Sequence, residues 1–147
     1  MQFSQEIDSH HYIIRSYTRG AVVISEPADS ATILSWPDGE KRDGPTILQR
    51  TLSNSAVISP RHLVLDWPVQ RLSAMTSDDL KPILALAPEI VLFGGGARLV
   101  WPPASIIGEL QEQRIGVEVM DTAAACRTYN ILMLEGRRVA AALLMIE

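Results

Sequence analysis

Three consecutive glycines, Gly94, Gly95 and Gly96, follow a short apolar run at residues 90–93. At the carboxyl end of a strand, glycines let backbone N–H groups come close to an anion, and ligands of open α/β sheets bind beyond that edge. Arg98, two residues further on, would add positive charge. The dinucleotide fingerprint is incomplete, because Leu99 stands where its third glycine belongs and the next helix begins only near Pro103. No Gly-Lys-Ser/Thr follows, so the phosphate-loop pattern fails as well. The structural alternative is a βα loop that simply needs positive φ.

The other residues with chemical potential cluster around this run. All three tryptophans, Trp36, Trp67 and Trp101, immediately precede a proline. Proline holds the residue before it extended and ends strand hydrogen bonding, so Trp67 and Trp101 are expected near the same sheet edge as the glycines. They would line an aromatic pocket or docking patch, or lid the end of the core. Asp121 and Thr122 follow a predicted strand and open a helix, where Asp is a preferred N-cap. Cys126 lies about one turn into that helix, where the positive helix end favours a thiolate. The competing reading is an inert thiol packed among alanines. Arg127 and Asn130 are polar positions in an otherwise apolar helix, suited to buried backbone groups or to a site. His10, His11 and His62 are distant from Cys126 in sequence. No Ser/His/Asp order, carboxylate pair or metal-ligand spacing emerges, so no catalytic residue, metal or cofactor is assigned.

The elements that must position these residues fall into two halves. Residues 12–16 and 21–25 are β-branched runs joined at Thr18-Arg19-Gly20, which predicts a hairpin. A third strand over 31–36 ends at Pro37, a polar loop covers 38–45, and 46–52 is weakly patterned. From residue 63 the rhythm changes. Strands are expected at 63–67, 90–93 and 117–120, with helices between them, giving β-α-β-α-β. The first helix opens on a Thr-x-x-Asp capping box at Thr76–Asp79, and Pro82 is expected in its first turn. Pro103 is expected as the first residue of the next helix and Gly116 as its C-cap. A third helix runs from Asp121 or Thr122 to Gly136, and residues 139–146 form a last strand. The continuous apolar strands predict a sheet covered on both faces.

Composition narrows the class. The chain has 147 residues, 47% hydrophobic, 5% aromatic and 20% charged, with a net charge of −4. That suits one α/β domain over residues 1–147 with an aliphatic core. The acidic balance argues against nucleic-acid binding, and the adjacent Arg137 and Arg138 are the densest positive spot. One cysteine excludes an internal disulfide and fits a reducing compartment. With no signal-peptide pattern, and no apolar run approaching the roughly 20 residues of a membrane span, a cytoplasmic protein without direct membrane insertion is expected.

The C-terminal stretch carries a family resemblance. It reads Gly116-Val-Glu-Val-Met-Asp-Thr122, then Ala125-Cys126-Arg127-Thr128-Tyr129-Asn130, then Glu135-Gly136-Arg137, then Val139-Ala140-Ala141-Ala142-Leu143. With the three glycines, it resembles domain-of-unknown-function family 498, which includes the mitochondrial respiratory complex I assembly factor 3. Gly95 departs from the pattern, since relatives often carry Thr there. The resemblance implies a three-layer α/β fold with a mixed central sheet of about five strands and an N-terminal hairpin layer. It also implies a last strand antiparallel to its neighbours. Gly94, Gly96, Asp121, Thr122, Arg127, Asn130, Glu135 and Arg137 are the matching positions where a shared site is expected.

The resemblance implies a non-enzymatic accessory protein that binds a protein partner, in the biogenesis of a membrane respiratory complex. The alternative is a small-molecule or nucleotide-binding protein or enzyme using the Gly94–Gly96 loop. The candidate surface is Gly94, Gly95, Gly96, Trp67, Trp101, Asp121, Thr122, Arg127, Asn130 and Arg137. A third reading is redox sensing through Cys126.

Overall fold

A computed structural model describes residues 10–27 and 48–147 of the chain. The strand expected at 31–36 with Trp36, and the loop expected at 38–45, lie outside these residues.

The N-terminal hairpin forms as its β-branched pattern predicts. Strands β1 (Ile13–Thr18) and β2 (Ala21–Ser25) pair antiparallel around Gly20, whose φ of +79° makes the tight turn. The weakly patterned segment supplies β3 (Gln49–Leu52), which pairs antiparallel with β2 and completes a three-stranded sheet.

A second sheet holds β4 (Ala56–Ile58), β5 (Leu63–Val64), β6 (Ile90–Gly94), β7 (Gly116–Met120) and β8 (Val139–Leu143). Its spatial order is β5-β4-β8-β6-β7. Helices α1 (Ser77–Leu84), α2 (Ala104–Glu112) and α3 (Thr122–Leu134) connect the later strands. Alternation along β6 shows why its sequence is apolar throughout. Leu92 packs on α3 and the three-stranded sheet, whereas Val91 and Phe93 pack on the α1 and α2 side. The result is the expected three-layer α/β architecture: α1 and α2, the mixed five-stranded sheet, then α3 beside the smaller sheet.

Four local expectations are corrected. The strand expected at 63–67 stops at Val64 and hairpins with β4, so β4 and β8 separate it from β6. Asp66 turns the chain with a left-handed φ of 54°, and the Trp67 amide donates to the Ser55 carbonyl. Helix α1 starts at Ser77, which leaves Pro82 in its interior rather than its first turn. The capping box itself forms, with the Thr76 amide donating to Asp79 Oδ2 at 2.8 Å. At the end of α2 it is Arg114, not Gly116, that takes the left-handed conformation, and Gly116 already belongs to β7.

The fourth correction concerns the last strand. β8 runs parallel to β6 and antiparallel only to β4. Helix α3 crosses from β7 over β6, packing on β6 and β8, and so delivers the chain back to the starting edge. A helical crossover gives a parallel neighbour, where a tight hairpin would give an antiparallel one.

Candidate functional site

The carboxyl edge of β6, β7 and β8 is built from the inside outward. Gly94 ends β6 beneath the first turn of α3. A Cβ there would lie 3.0 Å from Leu143 Cδ2 and 3.1 Å from both Ala125 Cβ and Thr122 Cα. Gly94 is therefore a packing glycine that lets helix and strand touch. A Cβ at Gly95 would lie 2.8 Å from the Arg98 carbonyl oxygen, because the loop folds back on itself. Gly96 has φ +95° and needs the freedom of glycine.

The amides of this loop are already engaged. Gly95 N–H donates to the Met120 carbonyl at 3.0 Å, and Gly96 N–H donates to Thr122 Oγ1 at 2.8 Å. Thr122 N–H returns to the Gly96 carbonyl, and the Thr122 hydroxyl donates to the Leu144 carbonyl. Leu144 N–H closes the ring on the Gly94 carbonyl. Thr122 thus ties three chain segments together in a fully buried position. The Gly95 and Gly96 donors that an anion would require are spent inside the fold, which removes the main support for a phosphate-type cradle.

Asp121 is an N-cap, as its position predicted. Its Oδ1 accepts from Ala124 N–H at 2.8 Å. Asn130 is structural too: its side chain hydrogen-bonds both backbone groups of Ile14. Arg127 projects from the exposed side of α3 and donates to the Tyr17 hydroxyl at 2.7 Å. Arg137 lies at the other end of the sheet, ahead of β8, where its Nε is 3.5 Å from Glu89 Oε1. Cys126 is buried, and loss of solvent pushes its thiol from the ordinary 9.0 up to about 12. A buried, neutral thiol is a poor nucleophile, which argues against redox sensing through Cys126.

The tryptophans separate. Trp67 is in the core, and its Nε1 donates to the Asp79 carbonyl in the first turn of α1 at 3.0 Å. It also lines an open cleft of about 970 Å³ with Arg71, Gly95, Gly96, Arg98 and Leu144. The cleft carries acids as well, Asp66 and Glu147, so it has no single electrostatic sign. Trp101 lies outside the cleft wall and is 62% exposed, with Leu99 near it at 51%. The ten expected site residues therefore do not converge. Gly95, Gly96 and Trp67 share the cleft, Thr122 holds its glycine loop from behind, Gly94 and Asp121 serve the packing and capping of α3, Trp101 stands outside, and Asn130, Arg127 and Arg137 serve other places.

The profile of a family described as a protein of unknown function, DUF498/DUF598, matches residues 37–144. This chain belongs to that family. It is 33% identical over 130 residues to the NADH dehydrogenase [ubiquinone] 1 alpha subcomplex assembly factor 3 of Danio rerio, covering 86% of this chain and 71% of that protein. The Homo sapiens protein of the same name is 36% identical over 85 residues, 56% of this chain and 46% of its own length. A crystal structure of a Bordetella parapertussis protein matches with a TM-score of 0.69 and 32% identity, covering 92% of this chain and 96% of that one. A Bordetella pertussis protein described as an Mth938-like domain matches with a TM-score of 0.68 and 27% identity, covering 99% and 92%.

Of the ten residues expected from the sequence, Arg137 alone lies on a second concave surface, which also holds Arg61, His62 and Arg138 at the opposite end of the sheet. The adjacent Arg137 and Arg138 were the only signal in the sequence that pointed towards it.

Proposed function

We propose that this chain is an accessory protein that docks on a protein partner during the assembly of a membrane respiratory complex. One observation carries the docking part. Trp101 and Leu99 project from the loop beside the large cleft, and the start of that loop is tied down by the Gly95, Gly96 and Thr122 hydrogen bonds. A large aromatic held in water by a rigid base suits an interface anchor, because Trp dominates interface hot spots and little order is lost on binding. The assembly part is supported by the family relatives in Danio rerio and Homo sapiens, which are named as NADH dehydrogenase assembly factors. Among the described residues no helix is long and apolar enough to cross a membrane, so contact with a membrane complex would run through its protein subunits. The buried, unpaired thiol of Cys126 is compatible with a reducing, cytoplasmic setting, which this reading adopts.

Affinity capture from detergent-solubilised membranes, quantified by mass spectrometry, tests the reading. Wild-type protein is expected to retain respiratory-complex subunits in stoichiometric amounts. Trp101→Ala should reduce their recovery by about tenfold or more, the scale of a hot-spot loss. Equal recovery by both proteins, or no stoichiometric partner with either, overturns it.

A further inference from the structure

The end of the five-stranded sheet opposite the glycine loop carries a smaller cavity of about 260 Å³. Its walls are the β4–β5 turn at residues 59–62, the turn at 86–88 after α1, and residues 136–139 leading into β8. The floor is apolar. Pro88, Met133 and Val139 are buried there, and Leu86 is half-buried. The mouth is cationic: Arg61, Arg137 and Arg138 line it with His11 and His62, and among the described residues no acid does. In a chain of net charge −4 this is a marked concentration of positive charge.

Glu89 lies beside these residues; it pairs directly with one guanidinium, that of Arg137, and acts on the Arg138 charge only through space. Its Oε1 accepts the Arg138 backbone amide at 3.0 Å and lies 3.5 Å from Arg137 Nε. Arg138 spends its own Nε on the Ala87 carbonyl at 3.3 Å, which anchors the side chain without neutralising it. Arg61 and Arg138 make no ion pair among the described residues. The wall is preformed as well. Ala87 holds a left-handed φ of 49°, uncommon for a residue with a Cβ, and its amide closes a turn on the Leu84 carbonyl.

We propose that this cavity binds a small amphiphilic anion, a carboxylate on a short hydrocarbon body. The floor removes the hydrocarbon from water, and the Arg61 and Arg138 guanidiniums meet the carboxylate with charge-assisted hydrogen bonds. The size limits the class, since the cavity lies below the roughly 300–1,000 Å³ typical of drug-sized pockets. The site is remote from Trp101 and stands independently of the docking reading.

The test is an amide-resolved NMR titration of the full chain with hexanoate, hexan-1-ol and inorganic phosphate. Hexanoate should give saturable shifts concentrated at residues 59–62, 86–89 and 136–139. Hexanol lacks the charge and phosphate lacks the hydrocarbon, so each should bind about tenfold or more weakly. Arg61→Ala, a change at an exposed position, should weaken hexanoate by about tenfold with the unliganded melting temperature little changed. Arg138→Ala should weaken it similarly. Equal binding of hexanol or of phosphate, hexanoate affinity indifferent to both arginine variants, shifts centred elsewhere, or no saturable shift overturns the proposal.

Discussion

Asn130 and Ile14 stand 116 residues apart and pair as neighbouring strands would: Asn130 Oδ1 accepts the Ile14 amide at 3.0 Å, and Asn130 Nδ2 donates to the Ile14 carbonyl at 2.8 Å. β1 lies at the edge of its sheet, and one side chain from α3 satisfies both backbone groups of Ile14 there. Asn130→Ala would strand two buried backbone groups and should lower unfolding stability by roughly 2–4 kcal/mol in urea titrations. Asn130→Asp keeps the acceptor, loses the donor and buries a charge, so it should be no milder. A loss under about 0.5 kcal/mol for Asn130→Ala would show that water replaces the amide without penalty.

Thr122 plays the matching role at the other end of α3. Thr122→Val keeps the shape but removes the acceptor for Gly96 N–H and the donor to the Leu144 carbonyl. The expected loss is about 2 kcal/mol, with Thr122→Ser close to wild type. Amide exchange at Gly96 should accelerate in Thr122→Val and not in Thr122→Ser.

Cys126 gives a pH prediction with a definite sign. Burial favours the neutral thiol and raises its folded-state pKa to about 12, so this stabilisation is complete below the ordinary value of 9.0 and fades as pH rises from there towards 12. Wild type should therefore lose more stability than Cys126→Ala between neutral and strongly alkaline pH. Alkylation by iodoacetamide at pH 8 should be slow in the native protein and fast in denaturant. Rapid native alkylation would restore the redox reading.

Glu89 works in the opposite direction. The Arg138 amide, with help from Arg137, holds its carboxyl below the usual 4.5. The stabilisation is present above that value and lost as pH falls through the lowered folded-state pKa. Glu89→Gln should flatten the acid limb of the stability profile below about pH 4.5 and lower stability slightly at neutral pH, where the carboxylate's contribution is present. An unchanged acid limb would refute this.

The two described tryptophans should behave as opposites. Trp101→Ala is expected to move stability by no more than about 0.5 kcal/mol, as an exposed position does. Trp67→Ala empties a core site and should cost about 3–5 kcal/mol. Trp67→Phe should cost about 1 kcal/mol, the hydrogen bond to the Asp79 carbonyl being the main loss. Chemical denaturation of the three variants checks the order.

The sequence by itself determined most of the local structure, because each signal acts within a few residues. The β-branched runs around Gly20 made the hairpin, Thr76 and Asp79 capped α1, Asp121 capped α3, and the apolar 90–93 run became a strand covered on both faces. Pro82 and Arg114 show where such signals yield to tertiary packing. A helix anchored at Thr76 tolerates an interior proline, and the turn after α2 places a non-glycine residue in a glycine conformation. Only the tertiary structure decided the direction of β8, since that follows from where α3 returns the chain and not from the composition of 139–143. Only it showed that the glycine amides are already bonded, because their acceptors, the Met120 carbonyl and the Thr122 hydroxyl, lie more than twenty residues further along the chain. The Trp-Pro pairs at 67 and 101 were alike as local sequence, and packing alone buried Trp67 beside α1 and left Trp101 in water.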